Sequence, residues 1–205
     1  DAGATAAFSN WVTKRFANNE KKSMLSIVVL GILVYADEFL KAAVLDSYGK
    51  TIGRKNRIPA EVVGMLVVAL CIPLVAFTPM ATWSVYFSQL MVSSGFAANG
   101  MMDFVTQVMP IMVFPIILTV IIVLFSLGIM PAFGTVKHAI AKKREGAYDF
   151  SCYEDQGLLD NAALKARPLD FVTPLIVLLA VGIALDGDLA IACLVAIAFE
   201  MVWFT

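Results

Sequence analysis

Residues 24–45 of the chain have the sequence MLSIVVLGILVYADEFLKAAVL, an apolar stretch with charged residues in its interior. The stretch is long enough to enter a bilayer as helix. Its charged residues are Asp37, Glu38 and Lys41. Ionisable side chains are costly inside a membrane and usually mark an ion or substrate path. The stretch therefore predicts a membrane protein in which these three residues are functional.

Basic clusters lie on both sides of this stretch, at residues 14–22 and 50–57, and a third lies at 137–167. Because positive charge is retained on the cytoplasmic side of a membrane, two basic flanks indicate that both ends of the stretch lie on that side. We therefore predict a re-entrant hairpin over residues 24–46, with a polar tip at 36–38. With this hairpin all three basic loops are cytoplasmic, whereas a full crossing would place the second and third outside.

The composition predicts an all-α integral membrane protein with several membrane-spanning helices. Sixty per cent of the 205 residues are hydrophobic and the mean hydropathy is +0.84, whereas soluble domains are roughly 45–50% apolar. Fourteen of the 15 Lys and Arg residues lie in the three basic loops. This distribution is an orientation signal rather than a nucleic-acid patch. We expect a multi-pass protein of the plasma membrane whose partner is the lipid bilayer; a homodimer is left open.

The apolar runs divide the chain into segments. The first predicted unit is an interfacial amphipathic segment (1–23) that carries Phe8, Trp11, Val12 and Phe16. The second is the membrane part of a first repeat (24–136), which consists of the hairpin (24–46), a broken helix (60–92) and a span (108–134). A cytoplasmic linker (137–168) and the first two spans of a second repeat (169–205) follow. The polar segment 93–107 between two of these spans is predicted to be an external loop. The chain starts without Met and ends inside an apolar run, which predicts a fragment of an inverted-repeat secondary transporter.

Two prolines interrupt the apolar run 60–92, at Pro73 and Pro79. A proline inside a helix removes a backbone hydrogen bond and kinks or breaks the helix. Secondary transporters bind ions at such broken helices. The candidate ion or substrate ligands here are Thr78, Pro79, Thr82 and Ser84. The alternative is a simple proline kink in which the hydroxyl groups bond back to the helix.

The charged residues of the hairpin suit proton or cation exchange. The ionised form of a carboxylate is disfavoured in a membrane, which is useful for a group that carries a proton. If residues 37–45 are helical, Asp37 and Lys41 are four residues apart and are predicted to form an ion pair. A pair that opens and closes could exchange a proton or a bound cation. The alternative is a structural ion pair at the hairpin tip.

Other chemistries are not expected from the sequence. The three cysteines have no C-x-x-C spacing and the single histidine, His138, lies in a loop, so we expect neither a metal nor a cofactor. Cys71 and Cys193 are predicted to be buried packing residues. An intramembrane aspartyl protease would need Tyr-Asp and Gly-x-Gly-Asp motifs on facing helices. Here Ala36 separates Tyr35 from Asp37, and LDGD at 185–188 lacks the first Gly. We therefore do not expect an enzyme.

Several motifs resemble those of NhaC-type Na+/H+ antiporters, members of the ion transporter superfamily. VYADEF at 34–39, followed by RKNRIPAE at 54–61, is similar to the family's acidic hairpin and its "R-x-S-R-E" stretch. TPMATW at 78–83 is similar to the "A-P-I-S-T-W" element, and FGTVK at 133–137 to "F-G-P-M-K". The resemblance extends from about residue 8 to the end of the chain. It implies a secondary transporter with inverted repeats, re-entrant hairpins and a moving transport domain that exchanges Na+ for H+, in some relatives coupled to organic acids.

Two departures from the family pattern bear on the transported ion. Lys41 occupies the position of an Asn in the family's D-D-Y-F-N motif, and residues 68–73 (VALCIP) replace a polar "D-S-T-A-A-P". The second change removes oxygen ligands that a Na+ ion requires. We therefore predict that Na+ coupling is weakened, with Lys41 as a built-in counter-ion and H+ or an organic anion as the transported species.

Three functions follow as expectations. The leading one is cation/proton antiport of the NhaC type with Na+ coupling altered by Lys41. The second is proton-coupled transport of an organic anion, in which Lys41 binds a carboxylate. The third is a degenerate membrane scaffold that transports nothing, for which substitutions of Asp37 and Lys41 would be neutral.

Overall fold

The computed structural model describes residues 4, 7–8, 11–12, 19–35, 37–153, 167–185 and 189–203. All regular elements of these residues are helical, so the protein is all-α. The helices are α1 (Glu20–Leu33), α2 (Glu38–Asn56), α3 (Ala60–Phe77), α4 (Thr82–Ser93), α5 (Gly100–Asp103), α6 (Val113–Ser126), α7 (Gly134–Arg144), α8 (Leu169–Ala184) and α9 (Leu189–Trp203). A π-helical turn (Phe104–Val108) and 3-10 turns (Met109–Ile111 and Ser151–Tyr153) complete these elements.

Helices α1 and α2 pack antiparallel as a helical hairpin. The hydroxyl groups of Ser26 and Tyr48 are 2.7 Å apart, and Asn56 Nδ2 donates to Ser23 Oγ at 2.8 Å. The start of α1 therefore lies beside the end of α2, and the break between the two helices lies at the opposite end. The predicted tip at 36–38 overlaps this break, of which residue 36 lies outside the described part.

The break needs no glycine or proline because Asp37 starts the second helix. Asp37 has extended backbone angles and its carboxylate accepts hydrogen bonds from the N–H groups of Phe39 and Leu40, at 2.9 and 3.1 Å. This is an N-cap, which satisfies backbone donors that have no partner inside the helix. A carboxylate at the start of a helix is also stabilised by the helix dipole.

Helix α3 packs against both helices of the hairpin at positions where glycines allow a close approach. A Cβ atom added at Gly49 of α2 would lie 2.5 Å from Val63 Cγ1, and one at Gly31 of α1 would lie 3.1 Å from Leu70 Cδ1. Small residues at helix interfaces allow such approaches, in membranes in particular. The core between these helices includes the fully buried side chains of Ile27, Leu45, Ile52, Leu66 and Leu70.

Basic residues from all three predicted cytoplasmic clusters lie at the same end of the molecule. Lys143 near the end of α7 pairs with Glu20 at the start of α1, at 2.7 Å. The hydrogen bond between Asn56 and Ser23 brings the basic end of α2 to the same place. A hairpin with both ends on the cytoplasmic side of a membrane requires its basic flanks to lie together. The structure brings these basic residues together, but it contains no membrane to show on which side they lie.

Two predicted loops are partly helical, and those predictions were wrong. Helix α2 continues through Asn56, so residues 50–57 form its last turns and end at Arg57, which has a left-handed backbone (φ 51°). Positively charged residues such as Arg54 and Lys55 are favourable at a helix C-terminus because the dipole there is negative. The polar segment 93–107 contains α5 and most of the π-helical turn.

The predicted span over 108–134 is shorter and bent. The α-helix begins only at Val113 and ends at Ser126, and it makes an angle of 66° with the helical residues Gly100–Ile111. Pro110 and Pro115 cannot donate backbone hydrogen bonds, which accounts for the interruption. In the broken helix, by contrast, Pro73 stays inside α3 and the break follows Thr78, at Pro79.

The last two helices coincide with the two spans predicted at the start of a second repeat. Helices α8 and α9 pack on each other, and Trp203 Nε1 donates to Asp170 Oδ1 at 3.1 Å. Cys71 on α3 is buried as predicted, but Cys193 on α9 is exposed, so its predicted packing role was wrong.

The amphipathic N-terminal segment packs on the protein where it is described. Phe8 and Val12 are buried in the core, and the rings of Phe8 and Phe171 lie 5.0 Å apart. Trp11 is 46% exposed, and Phe16 lies outside the described residues. The apolar face of this segment therefore contacts protein at these positions, where we predicted the membrane interface.

Length and composition identify fewer spans than predicted. Within the described residues, the stretch Ala60–Ser93 is long and apolar enough to cross a membrane, and the bent pair Gly100–Ile111 and Val113–Ser126 qualifies if it is counted as one span. Helices α8 and α9 are apolar but shorter.

The first part of the predicted linker 137–168 is folded against the helices. Residues 137–144 belong to α7, and two tyrosines after it bind the turn between α2 and α3. Tyr153 OH donates to Ile58 O at 2.9 Å; Tyr148 OH donates to Glu61 Oε2 at 2.5 Å and accepts from Ala60 N at 2.8 Å. Burial raises the pKa of both tyrosines, so both stay protonated donors at neutral pH.

We predict that Gly53→Ala destabilises the protein. A Cβ atom there would lie 2.4 Å from the hydroxyl oxygen of Tyr153, which is buried and cannot move freely. The expected loss is about 1–3 kcal/mol of unfolding free energy, measured as a lower Tm in detergent. Gly64→Ala is the control, because it lies in helix α3 with nothing within 4 Å of the added Cβ, and alanine there is expected to be neutral or stabilising. Equal Tm values for both variants would contradict this packing.

Candidate functional site

The hairpin tip meets the broken helix at the end of the molecule opposite the basic residues. Glu38 in the first turn of α2 accepts a hydrogen bond from Trp83 Nε1 in the first turn of α4, at 3.1 Å. Two elements that the sequence singled out, 45 residues apart, are therefore in direct contact. The structure brings the predicted residues of both elements to one region.

Lys41 lies one helical turn after Asp37 and points into the protein. Its side chain is fully buried, and its Nζ has no hydrogen-bond partner among the described residues. Helix α3 packs on this face of α2, and its Cys71 is close enough to interact electrostatically with Lys41. A neutral thiol provides no negative charge, so the ammonium group is not neutralised there.

The predicted ion pair between Asp37 and Lys41 is not formed. The two residues were predicted to pair because side chains four apart in a helix are neighbours. Asp37 precedes the helix as its N-cap, with φ −144° and ψ 147°, so the helical spacing does not apply to it. Its carboxylate instead accepts from the first N–H groups of α2. Glu38, the other carboxylate of the tip, is bonded to Trp83.

The hydroxyl groups at the break bond to the backbone. Thr78 Oγ1 donates to Leu74 O at 2.6 Å. Ser84 Oγ is fully buried, lies 2.7 Å from Thr78 O and 2.9 Å from Ala81 O, and accepts from Ala81 N at 3.1 Å. Thr82 is exposed. This is the bonding that the simple proline kink predicts, and the role of these hydroxyl groups as ion ligands stays a prediction.

Helix α8 lies against the same region, which the sequence did not indicate. Tyr35 OH donates to Leu175 O at 3.3 Å. Met80 in the break has a left-handed backbone (φ 65°), and its Cε lies 3.0 Å from where a Cβ of Gly182 would be. A Cβ at this position would require the Met80 methyl group to shift by a few tenths of an ångström. The site thus lies where the hairpin, the break and α8 meet.

The ionisable groups of the site are the carboxylates of Asp37 and Glu38 and the ammonium group of Lys41. Within the described residues no group of three or more His, Cys, Asp or Glu could hold a metal ion. What the site offers is two carboxylates with protein partners and one buried ammonium without any.

No protein-family model, curated protein or solved structure matches this chain. The resemblance to NhaC-type antiporters therefore stays a prediction that rests on the motifs of the chain.

We predict that Ser84→Ala destabilises the break. The change leaves Ala81 N without its acceptor in a buried place, and an unsatisfied buried polar group costs about 1–3 kcal/mol. Ser88→Ala is the control, since Ser88 is also buried in α4 but bonds only within a continuous helix, to Val85 O. We expect a lower Tm for the first variant and a change within about 0.5 kcal/mol for the second. The opposite order would show that the break does not depend on the serine.

Proposed function

We propose that this chain is part of a secondary active transporter of the plasma membrane, related in mechanism to the NhaC-type antiporters it resembles. Exposed apolar side chains on α3, α6, α8 and α9 support a membrane location, because soluble monomers rarely expose large apolar patches. The side chains that are more than 60% exposed include Val68, Ile72, Phe114, Ile183, Leu194 and Val202.

The geometry of the hairpin supports a re-entrant position. Helix α1 has 14 residues and is therefore about 21 Å long at 1.5 Å per residue. The hydrocarbon core of a bilayer is about 30 Å thick. If the shared basic end lies at the cytoplasmic surface, a hairpin of this length ends inside the membrane, with Lys41 near its tip.

The observation that carries the function is the unpartnered ammonium of Lys41. An isolated charge buried away from water is strongly unfavourable, and a buried charge normally requires a partner of opposite sign. The charged form of Lys41 therefore needs an anion that the described residues do not provide. A fixed positive charge also opposes Na+ binding nearby.

The function that this site supports best is proton-coupled transport of a small organic anion. An ammonium group has three donors and no acceptor, and a carboxylate is a strong partner for it. A bound carboxylate would neutralise Lys41, and release of the solute would favour loss of the proton. Lys41 would thus link the movement of the solute to that of H+ without Na+.

Na+/H+ exchange is the second candidate. It is favoured by the adjacent carboxylates of Asp37 and Glu38 at the tip and by the motifs shared with NhaC-type antiporters. For this function a cation would have to compete with the hydrogen bonds that both carboxylates now accept.

We expect a carboxylate pulse, but not a Na+ pulse, to change the internal pH of proteoliposomes that contain the purified protein and a pH dye. In Lys41→Asn the carboxylate response should fall by more than about tenfold, because loss of one member of a buried charge pair costs about 2–5 kcal/mol. Lys50→Asn is the control: Lys50 lies on the same helix but pairs with Asp46 near the basic end, and its response should be unchanged.

The other outcomes separate the candidates. A Na+-driven pH change in the unmodified protein would refute the replacement of Na+ by Lys41 and establish an ordinary antiporter. No response to any solute, in the unmodified protein and in the variants alike, would refute transport and leave the scaffold.

A further inference from the structure

A cavity of about 1010 Å³ lies between α1 and α8, and Tyr35 and Leu175, which join the hairpin to α8, line part of it. Its volume is at the upper end of the roughly 300–1,000 Å³ that small-molecule sites occupy. Apolar side chains of both helices form most of its wall, and several are about half exposed although they lie between two helices: Val29, Ile32, Leu33 and Ile176. Pockets between helices with mostly apolar walls are common binding sites for small molecules.

The polar groups of the wall are unevenly distributed. Ser26 and Tyr35 also line the cavity, but their hydroxyl groups are bonded to Tyr48 OH and to Leu175 O. Lys22 lies at the first turn of α1, is exposed, and makes no ion pair with a described acidic residue. The cavity therefore offers one cation at one end and an apolar wall along the rest.

The length of the wall fits one leaflet of a bilayer. From Lys22 to Leu33 the helix rises by about 17 Å at 1.5 Å per residue. Half of a hydrocarbon core of about 30 Å is about 15 Å, the depth that the acyl chains of one leaflet fill. Lys22 belongs to the basic end, and acidic lipids are concentrated in the cytoplasmic leaflet, where they attract basic residues close to the membrane.

We propose that this cavity binds an acidic phospholipid, with its acyl chains along α1 and α8 and its head group at Lys22. The proposal rests on the membrane location proposed above but not on the transported species. The bound lipid would fill the space that the described residues leave between α1 and α8.

The test uses Trp11, which lines the cavity. The purified protein is reconstituted in vesicles with increasing fractions of phosphatidylglycerol brominated on its acyl chains, or of brominated phosphatidylcholine with the same chains. Bromine quenches tryptophan on contact, and the difference between the unmodified protein and Trp11→Phe isolates the signal of Trp11. We expect the acidic lipid to reach half-maximal quenching at a fraction about fivefold lower than the fraction of phosphatidylcholine that is required. This ratio is the effect of about one favourable lysine contact.

Lys22→Gln should abolish this preference, whereas Lys21→Gln, the same change one residue earlier and outside the cavity wall, should retain it. Equal quenching by both lipids, or an unchanged preference in Lys22→Gln, would overturn the proposal. Stronger quenching by a brominated fatty acid than by the phospholipid would also overturn it and assign the cavity to a free acid. If no brominated lipid quenches any tryptophan, the proposed membrane location is wrong. If the protein binds the acidic lipid but transports nothing, the lipid site stands and only the proposed transport function is refuted.

Discussion

The carboxylate of Asp37 holds the first turn of α2, and the arrangement of the hairpin depends on that hydrogen bonding. It allows the chain to leave α1 after Leu33 and to start a new helix at Glu38 without glycine or proline. Glu38, the first residue of α2, therefore lies beside the break and reaches Trp83, and Lys41 lies three residues further along on the face that packs against α3.

The buried polar groups around this region differ in how well they are satisfied. The hydroxyl of Ser84 and the backbone groups at the break are bonded to one another. Lys41 is not bonded to any described residue. A protein that needed Lys41 only for stability would gain by replacing it with an apolar residue of similar size, since buried charges are weak evidence for stability. The anion that we propose as the transported solute would supply the missing partner of Lys41.

Much of this architecture could be predicted because charge and proline act locally. The basic flanks predicted a hairpin, and the structure has two packed helices with a break near the predicted tip; the re-entrant position in a membrane stays a prediction. The prolines predicted the break at Pro79. The same rules failed where packing decides: Pro73 is accommodated inside α3, and the basic residues of 50–57 lie on the end of α2 because a helix C-terminus favours positive charge. The predicted ion pair between Asp37 and Lys41 was wrong because Asp37 is the N-cap of α2, where the helical spacing does not apply. The contacts of Glu38 with Trp83, of Tyr153 with Ile58 and of Met80 with Gly182 join distant parts of the chain, and no local pattern encodes them.

Different contacts hold the two ends of the molecule, and they bear on how the helices would move under the proposed transport function. At the basic end an ion pair, Lys143 with Glu20, and buried tyrosine hydrogen bonds fasten α7 and the following residues to the hairpin. At the tip, α8 is joined by one 3.3 Å hydrogen bond from Tyr35 and by the contact of Met80 with Gly182. Alternating access requires one group of helices to rock against another around a fixed site. In the proposed transporter, a separation of α8 from the tip would break these two contacts and uncover the side of the site that α8 covers.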